Sequence, residues 1–155
     1  MNVLFVCHGN ICRSPLAKAL LKKKYKEHGV KGKVDSAGFE TYLINEPPDK
    51  RVIELGEKYG LTITDKARIF RKQDFDKYDK IYVMDTQNFR DVKDLARHPV
   101  DIAKIDYLMN VLEPGKNKTI GDPFMSGHED LEEIYHLMDK VTDKILKLAF
   151  IPEQI

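Results

Sequence analysis

Short apolar runs alternate with stretches of helical periodicity along this chain, and that alternation constrains its fold more than any other feature. Four runs are candidate strands: Asn2 to Val6, Lys33 to Ser36, Ile81 to Met84 and Lys104 to Leu108. Leu16 to His28 carries an apolar face at Ala17, Leu20, Leu21 and Tyr25, and Asp49 to Tyr59 carries another at Val52, Leu55, Gly56 and Tyr59. A third helix is predicted over Thr86 to Arg97 on Phe89, Val92 and Ala96. A fourth, Glu129 to Ala149, is predicted on Leu131, Ile134, Met138, Val141, Ile145 and Leu148. Strands separated by crossover helices pair in parallel, so the expected fold is α/β: one four-stranded parallel twisted sheet with helices on both faces.

The length of 155 residues suits a single domain over 1–155 that buries a continuous core without disulfides or metal. Turn signals fall at Asn45-Glu46-Pro47-Pro48, Glu113-Pro114-Gly115 and Gly121-Asp122-Pro123. With 26 basic and 25 acidic residues, the net charge of +1 provides no global field to gather nucleic acid or an anionic membrane. The run Lys22-Lys23-Lys24 fans around a helix and reads as a solvated face. The apolar stretch Met1 to Val6, interrupted by Cys7 and His8, is too short for a signal peptide or a membrane span, so a cytoplasmic protein is expected. Cys7 and Cys12 are the only cysteines, which suggests reactivity rather than stapling. The five histidines lack the paired spacing of a zinc site, and no metal or cofactor is implied.

The chemistry is concentrated in Cys7-His8-Gly9-Asn10-Ile11-Cys12-Arg13-Ser14-Pro15, between the first strand and the first helix. A helix N-terminus there offers unpaired N–H groups and a partial positive charge, and parallel sheets bind ligands at the carboxyl ends of their strands. Ser14 is a candidate cap, and Pro15 suits a first turn. Gly9 and Asn10 tolerate positive φ, so the backbone can curl its N–H groups inward around a phosphate. Cys7 then lies at the base of a phosphate-binding loop, where amides, helix dipole and Arg13 stabilise its thiolate. Arg13 offers a planar fork for two phosphate oxygens, and Ser14 can donate to Cys7. The bland alternative is that Cys7 is a small buried hydrophobe at a strand end.

With these residues the chain resembles the low-molecular-weight protein tyrosine phosphatases, whose signature is a Cys, five residues and Arg-Ser-Pro near the N-terminus. Asp35-Ser36-Ala37-Gly38, Ala67-Arg68 with Asp74-Phe75, Met84-Asp85 and Gly121-Asp122-Pro123-Phe124 extend the resemblance over nearly the whole chain. It implies that Cys7 attacks phosphorus, that Arg13 and the loop from His8 to Ser14 hold the phosphate oxygens, and that Asp122 protonates the leaving oxygen. A cysteinyl-phosphate forms, water hydrolyses it, and inorganic phosphate is the product, with no metal required. Tyr42 and Phe124 fall where the family places rim aromatics, which implies a deep slot for phosphotyrosine in protein substrates. Cys12 resembles the family's second cysteine, able to form a protective disulfide with Cys7, although packing beneath the loop is the other reading.

Three departures qualify the resemblance. Asp65 stands where many relatives carry a loop-buttressing histidine, so the network around Asn10, Ser14 and Ser36 is expected to differ. Met125 stands where eukaryotic relatives carry a second tyrosine, and His8 replaces the usual Leu, Thr or Val. Three competing functions share the loop. An arsenate reductase would need cysteines beyond Cys12. A protein-arginine phosphatase characteristically has Thr where this chain has Ile11. A non-catalytic phosphate-binding module would be expected to lose one of Cys7, Arg13 and Asp122.

Overall fold

The computed structural model describes residues 1–121 and 131–150. Four parallel strands, β1 (Val3–Val6), β2 (Val34–Ala37), β3 (Lys80–Val83) and β4 (Ile105–Tyr107), form one sheet in the order β2-β1-β3-β4. β1 and β3 are central, with Leu4 opposite Ile81 and Phe5 opposite Tyr82. Every residue of β1 is buried, as a strand covered on both faces requires.

Helices cover both faces, as expected. On one, α1 (Arg13–Glu27), α2 (Lys50–Lys58) and α6 (Leu131–Ala149) bury Leu16, Leu20, Val52, Met138 and Ile145 against Val3, Phe5 and Tyr82. On the other, α3 (Asp74–Lys77) and α4 (Thr86–Asp94) pack Phe75 and Val92 against Leu4, Val6, Ile81 and Val83. The alternation of β1 side chains between two apolar layers is therefore what holds both helix layers to one sheet. A short helix, α5 (Pro99–Ala103), precedes β4, and 3-10 turns occupy Thr41–Leu43 and Leu108–Val111.

The predicted strands and helices are present with ends shifted by a few residues, and three expectations need correction. Thr86 to Arg97 is not one helix: α4 stops at Asp94, and α5 begins with Pro99 in its first turn. Proline disfavours helical φ/ψ in the residue before it, and His98 is accordingly extended. Arg97 instead forks onto Asp76 at 2.6 and 3.0 Å and reaches Asp101 at 2.9 Å. Lys24 is not part of a solvated face. It contacts α6 through Asp139 Oδ1 and Thr142 Oγ1, each at 2.7 Å, and Asp143 at 2.8 Å. Ser14 is not the cap of α1, because the helix starts at Arg13 and Cys12 holds the cap position, leaving the Ser14 hydroxyl for the loop. Residues 129–130 of the last predicted helix lie outside the described residues.

β1 and β3 flank the switch point of the sheet, since the chain leaves them toward opposite faces. The gap at their carboxyl ends is where parallel α/β sheets bind ligands. Cys7 follows β1 directly, and Met84 and Asp85 follow β3. The end of β2 closes in from the other side at Gly38, whose added Cβ would lie 2.8 Å from His8 O and 2.9 Å from Asn10 Cβ. Gly38→Ala is expected to lower stability by about 1–3 kcal/mol and to displace the loop. The check is a reduced urea midpoint at unchanged m, together with weakened phosphate binding.

Candidate active site

Residues 7–12 turn the chain from β1 into α1, and the geometry of that turn decides where each side chain points. Asn10 has φ 55°, the left-handed conformation that Asn tolerates better than most residues. Gly9 does not share it, contrary to expectation. Its role is spatial, since an added Cβ would come within 3.0 Å of Leu43 Cδ1. The turn is tied outward by Ile11 O, which accepts Asp49 N at 2.8 Å. It is tied sideways by His8 O, which accepts Phe39 N at 2.8 Å and Glu40 N at 3.1 Å.

Inside the turn, Ser14 Oγ donates to Asn10 Oδ1 at 2.8 Å and lies 2.9 Å from Cys7 Sγ. All three residues are buried, so the positive-φ residue, the first helical turn and the candidate nucleophile form one hydrogen-bonded chain out of bulk water. Cys7 and Cys12 are not joined by a disulfide. Arg13, also buried, donates through Nη1 to Ile120 O at 2.7 Å and to Asp85 Oδ2 at 3.2 Å. Asp85 is held in turn, because its Oδ1 accepts Asn88 N at 2.8 Å as the cap of α4.

Asp85 and Ile120 are the partners that sequence reasoning missed. The signal for Asp85 was present, an Asp at a strand end just before an amphipathic helix. A main-chain acceptor such as Ile120 O has no side-chain signature. Ile120 N in turn donates to Met84 O at 2.8 Å, which anchors the chain entering Gly121 beside the end of β3. Asp122, Phe124 and Met125 lie outside the described residues.

On the rim, His8 is exposed and pairs through Nε2 with Glu40 Oε2 at 2.7 Å. Tyr42, in the 3-10 turn that follows, is 76% exposed. Asp65 does not enter the loop network. It accepts from Lys18 Nζ, and the chain of Cys7, Ser14 and Asn10 closes without it.

Residues 2–153 match the family model described as low molecular weight phosphotyrosine protein phosphatase. The chain belongs to that family. It is 41% identical over 137 residues to the low molecular weight phosphotyrosine protein phosphatase of Gallus gallus and 36% identical to that of Homo sapiens, covering 86% of each chain in both comparisons. Among solved structures, YfkJ from Bacillus subtilis is 30% identical with TM-score 0.89, the match covering 99% of this chain and 97% of that one. The drosophila arginine phosphatase DARP is 29% identical with TM-score 0.88, covering 99% and 100%. The family is one of protein-tyrosine phosphatases, which are phosphoric monoester hydrolases.

Behind the loop, charges lock β2 to α1. Lys18 Nζ donates to Asp35 Oδ1 at 2.9 Å, Asp35 Oδ2 accepts Arg68 Nε at 3.0 Å, and the Arg68 fork holds Asp74 at 3.0 and 3.1 Å. Burial opposes ionisation of Asp35, but the bond and charge of Lys18, helped by Ser36 N–H and Arg68, outweigh it and hold the carboxyl below its ordinary range. Burial likewise opposes the Lys18 charge, and Asp65 and Asp35 together override it and raise the ammonium. A carboxyl lowered on folding binds fewer protons folded than unfolded. Its contribution is present above the unfolded value of about 4 and is lost as pH falls through the folded one. Asp35→Asn should therefore cost roughly 1–2 kcal/mol at neutral pH, and the gap from the parent protein should close in acid. Urea titrations from neutral pH down through the carboxylate range check it.

Proposed function

We propose that this chain hydrolyses phosphotyrosine in proteins through a cysteinyl-phosphate intermediate, with Cys7 as nucleophile, Arg13 as clamp and Asp122 as proton donor. The observation that carries the reading is the placement of Cys7 Sγ, 2.9 Å from Ser14 Oγ, beneath a turn that opens onto the head of α1 at the switch point of the sheet.

The Ser14 hydroxyl has one proton and two neighbours. Beside a thiol it serves Asn10 Oδ1 while Cys7 S–H points at Ser14 Oγ. Once Cys7 is a thiolate, that proton can turn to sulfur and stabilise the charge. Arg13 is anchored through Nη1 to Ile120 O and Asp85, so Nε and Nη2 remain to meet two oxygens of the phosphoryl group side by side. The thiolate attacks phosphorus in line, the P–O bond to the aryl group breaks, and Asp122 gives its proton to the leaving phenolate. Water then attacks the phosphocysteine, Asp122 takes the proton back, and inorganic phosphate departs. Loop amides and the head of α1 supply the charge stabilisation for both steps, so the residues present need no metal for this chemistry.

Tyr42, with Phe124, would wall a slot deep enough that phosphotyrosine reaches Cys7 and the shorter phosphoserine does not. Ile11 in place of Thr favours phosphotyrosine over phosphoarginine. Residues 1–155 act here as one phosphatase domain, at home in the cytoplasm, where reduced thiols persist. Reversible pairing of Cys7 with Cys12 would protect the nucleophile under oxidation.

Steady-state hydrolysis of phosphotyrosine, phosphoserine and phosphoarginine, without metal and with reductant, tests the reading. Phosphotyrosine should be cleaved in preference to the other two. Cys7→Ser should abolish turnover while retaining phosphate binding, and Asp122→Ala should slow it by about 10² to 10⁴. Phosphate binding without turnover of any substrate would make the chain a binding module instead, and preferred cleavage of phosphoarginine would reassign the substrate.

A further inference from the structure

The lysines of α1 have divergent surroundings. Lys24 is engaged with α6, and Lys18 with Asp35 and Asp65. Lys22 and Lys26 continue the ridge that runs through Lys18 at four-residue spacing, and both are exposed. With Lys33, exposed just before β2, they converge on one groove of about 500 Å³ flanked by Tyr25 and Tyr78. These three lysines form no ion pair with a described residue. The acidic residue lining the groove, Asp35, is already shared between Lys18 and Arg68. In a chain of net charge +1, this is a local excess of positive charge.

Both walls of the groove lead to the phosphate loop. α1 begins there at Arg13, and β2 runs into Gly38, which lies against His8 and Asn10. At a helical rise of 1.5 Å per residue, Lys22 and Lys26 lie about 14 and about 20 Å along the axis from Arg13. Extended peptide advances about 3.3 Å per residue, so the same distance takes about four to six residues.

We propose that this groove is a docking site for an acidic segment of the phosphoprotein substrate, about four to six residues along the chain from the phosphorylated side chain. The proposal deepens the phosphatase reading and rests on it for the phosphorylated residue alone. Once that residue occupies the loop, the tethered acidic segment meets the lysines at high effective concentration, so modest charge pairs become useful in KM. A peptide fits better than nucleic acid, because three lysines in one groove neutralise few phosphates and the tyrosine walls suit side chains with apolar stems.

The test uses phosphotyrosine peptides carrying four glutamates about five residues from the phosphotyrosine, on either side, and matched peptides with four glutamines. At low salt the glutamate peptide in one orientation should show a KM about tenfold lower than its glutamine partner, with the advantage fading as salt rises. K22E/K26E/K33E should remove the advantage and leave kcat/KM for para-nitrophenyl phosphate unchanged, and K22Q/K26Q/K33Q should remove part of it. Equal KM for glutamate and glutamine peptides, or an advantage that survives charge reversal, would overturn the proposal. So would a charge reversal that weakens binding only to phosphatidylserine vesicles or a single-stranded oligonucleotide. Anisotropy with the unphosphorylated glutamate peptide reads docking without catalysis, so failed docking is distinguished from failed hydrolysis.

Discussion

The hydrogen bond chain from Cys7 Sγ through Ser14 Oγ to Asn10 Oδ1 is the interaction on which the rest of the site depends. It joins the end of β1, the positive-φ residue of the turn and the first turn of α1 in one buried network. Six residues must carry the chain from the sheet onto a helix, and only a turn with a left-handed residue held by its own side chain keeps the helix head above the sulfur. The supporting contacts serve that placement. Gly38 lets β2 come against the turn, Asp49 N fixes Ile11 O, and the Lys18, Asp35, Arg68 and Asp74 network fixes β2 to α1.

Arg13 shows how a strongly charged side chain is kept buried without being used up. One nitrogen is anchored to a carbonyl and a carboxylate, and the carboxylate is itself fixed by capping α4. The charge is thereby partly compensated, as a buried guanidinium requires, and in the proposed reaction its other edge meets the dianion. Because Ile120 O belongs to the segment that enters Gly121, Arg13 is tied to the backbone leading to the proposed acid.

Much of this was legible from the amino acids, for identifiable reasons. The central strands β1 and β3 announced themselves because such strands are apolar on both faces, and α1, α2 and α6 because each carries an apolar stripe at helical spacing. The candidate catalytic segment stood out because Cys, Asn, Arg, Ser and Pro each meet a separate requirement of one turn. Sequence reading failed where placement is decided through space. Of the two uses the sequence offers the Ser14 hydroxyl, helix cap and partner of Cys7, the cap is not formed, while the contact with Cys7 is. Lys24 looked like its neighbours Lys22 and Lys23 until α6 packed beside it. The break between α4 and α5 was visible in Pro99 but was outweighed by the apolar period before it. The role of Gly38 depends on the loop it touches, which no local pattern specifies.

The central claim is that Cys7 becomes covalently phosphorylated during turnover. Acid-quenching the Asp122→Ala variant during hydrolysis of a phosphotyrosine peptide, followed by mass spectrometry of the fragment containing Cys7, tests it most directly. The account predicts a fragment heavier by one phosphoryl group, with the modification on Cys7 and not on Cys12, absent from Cys7→Ser treated in the same way. Continued release of phosphate by Cys7→Ser, or a phosphoryl group found only on another residue, would contradict it.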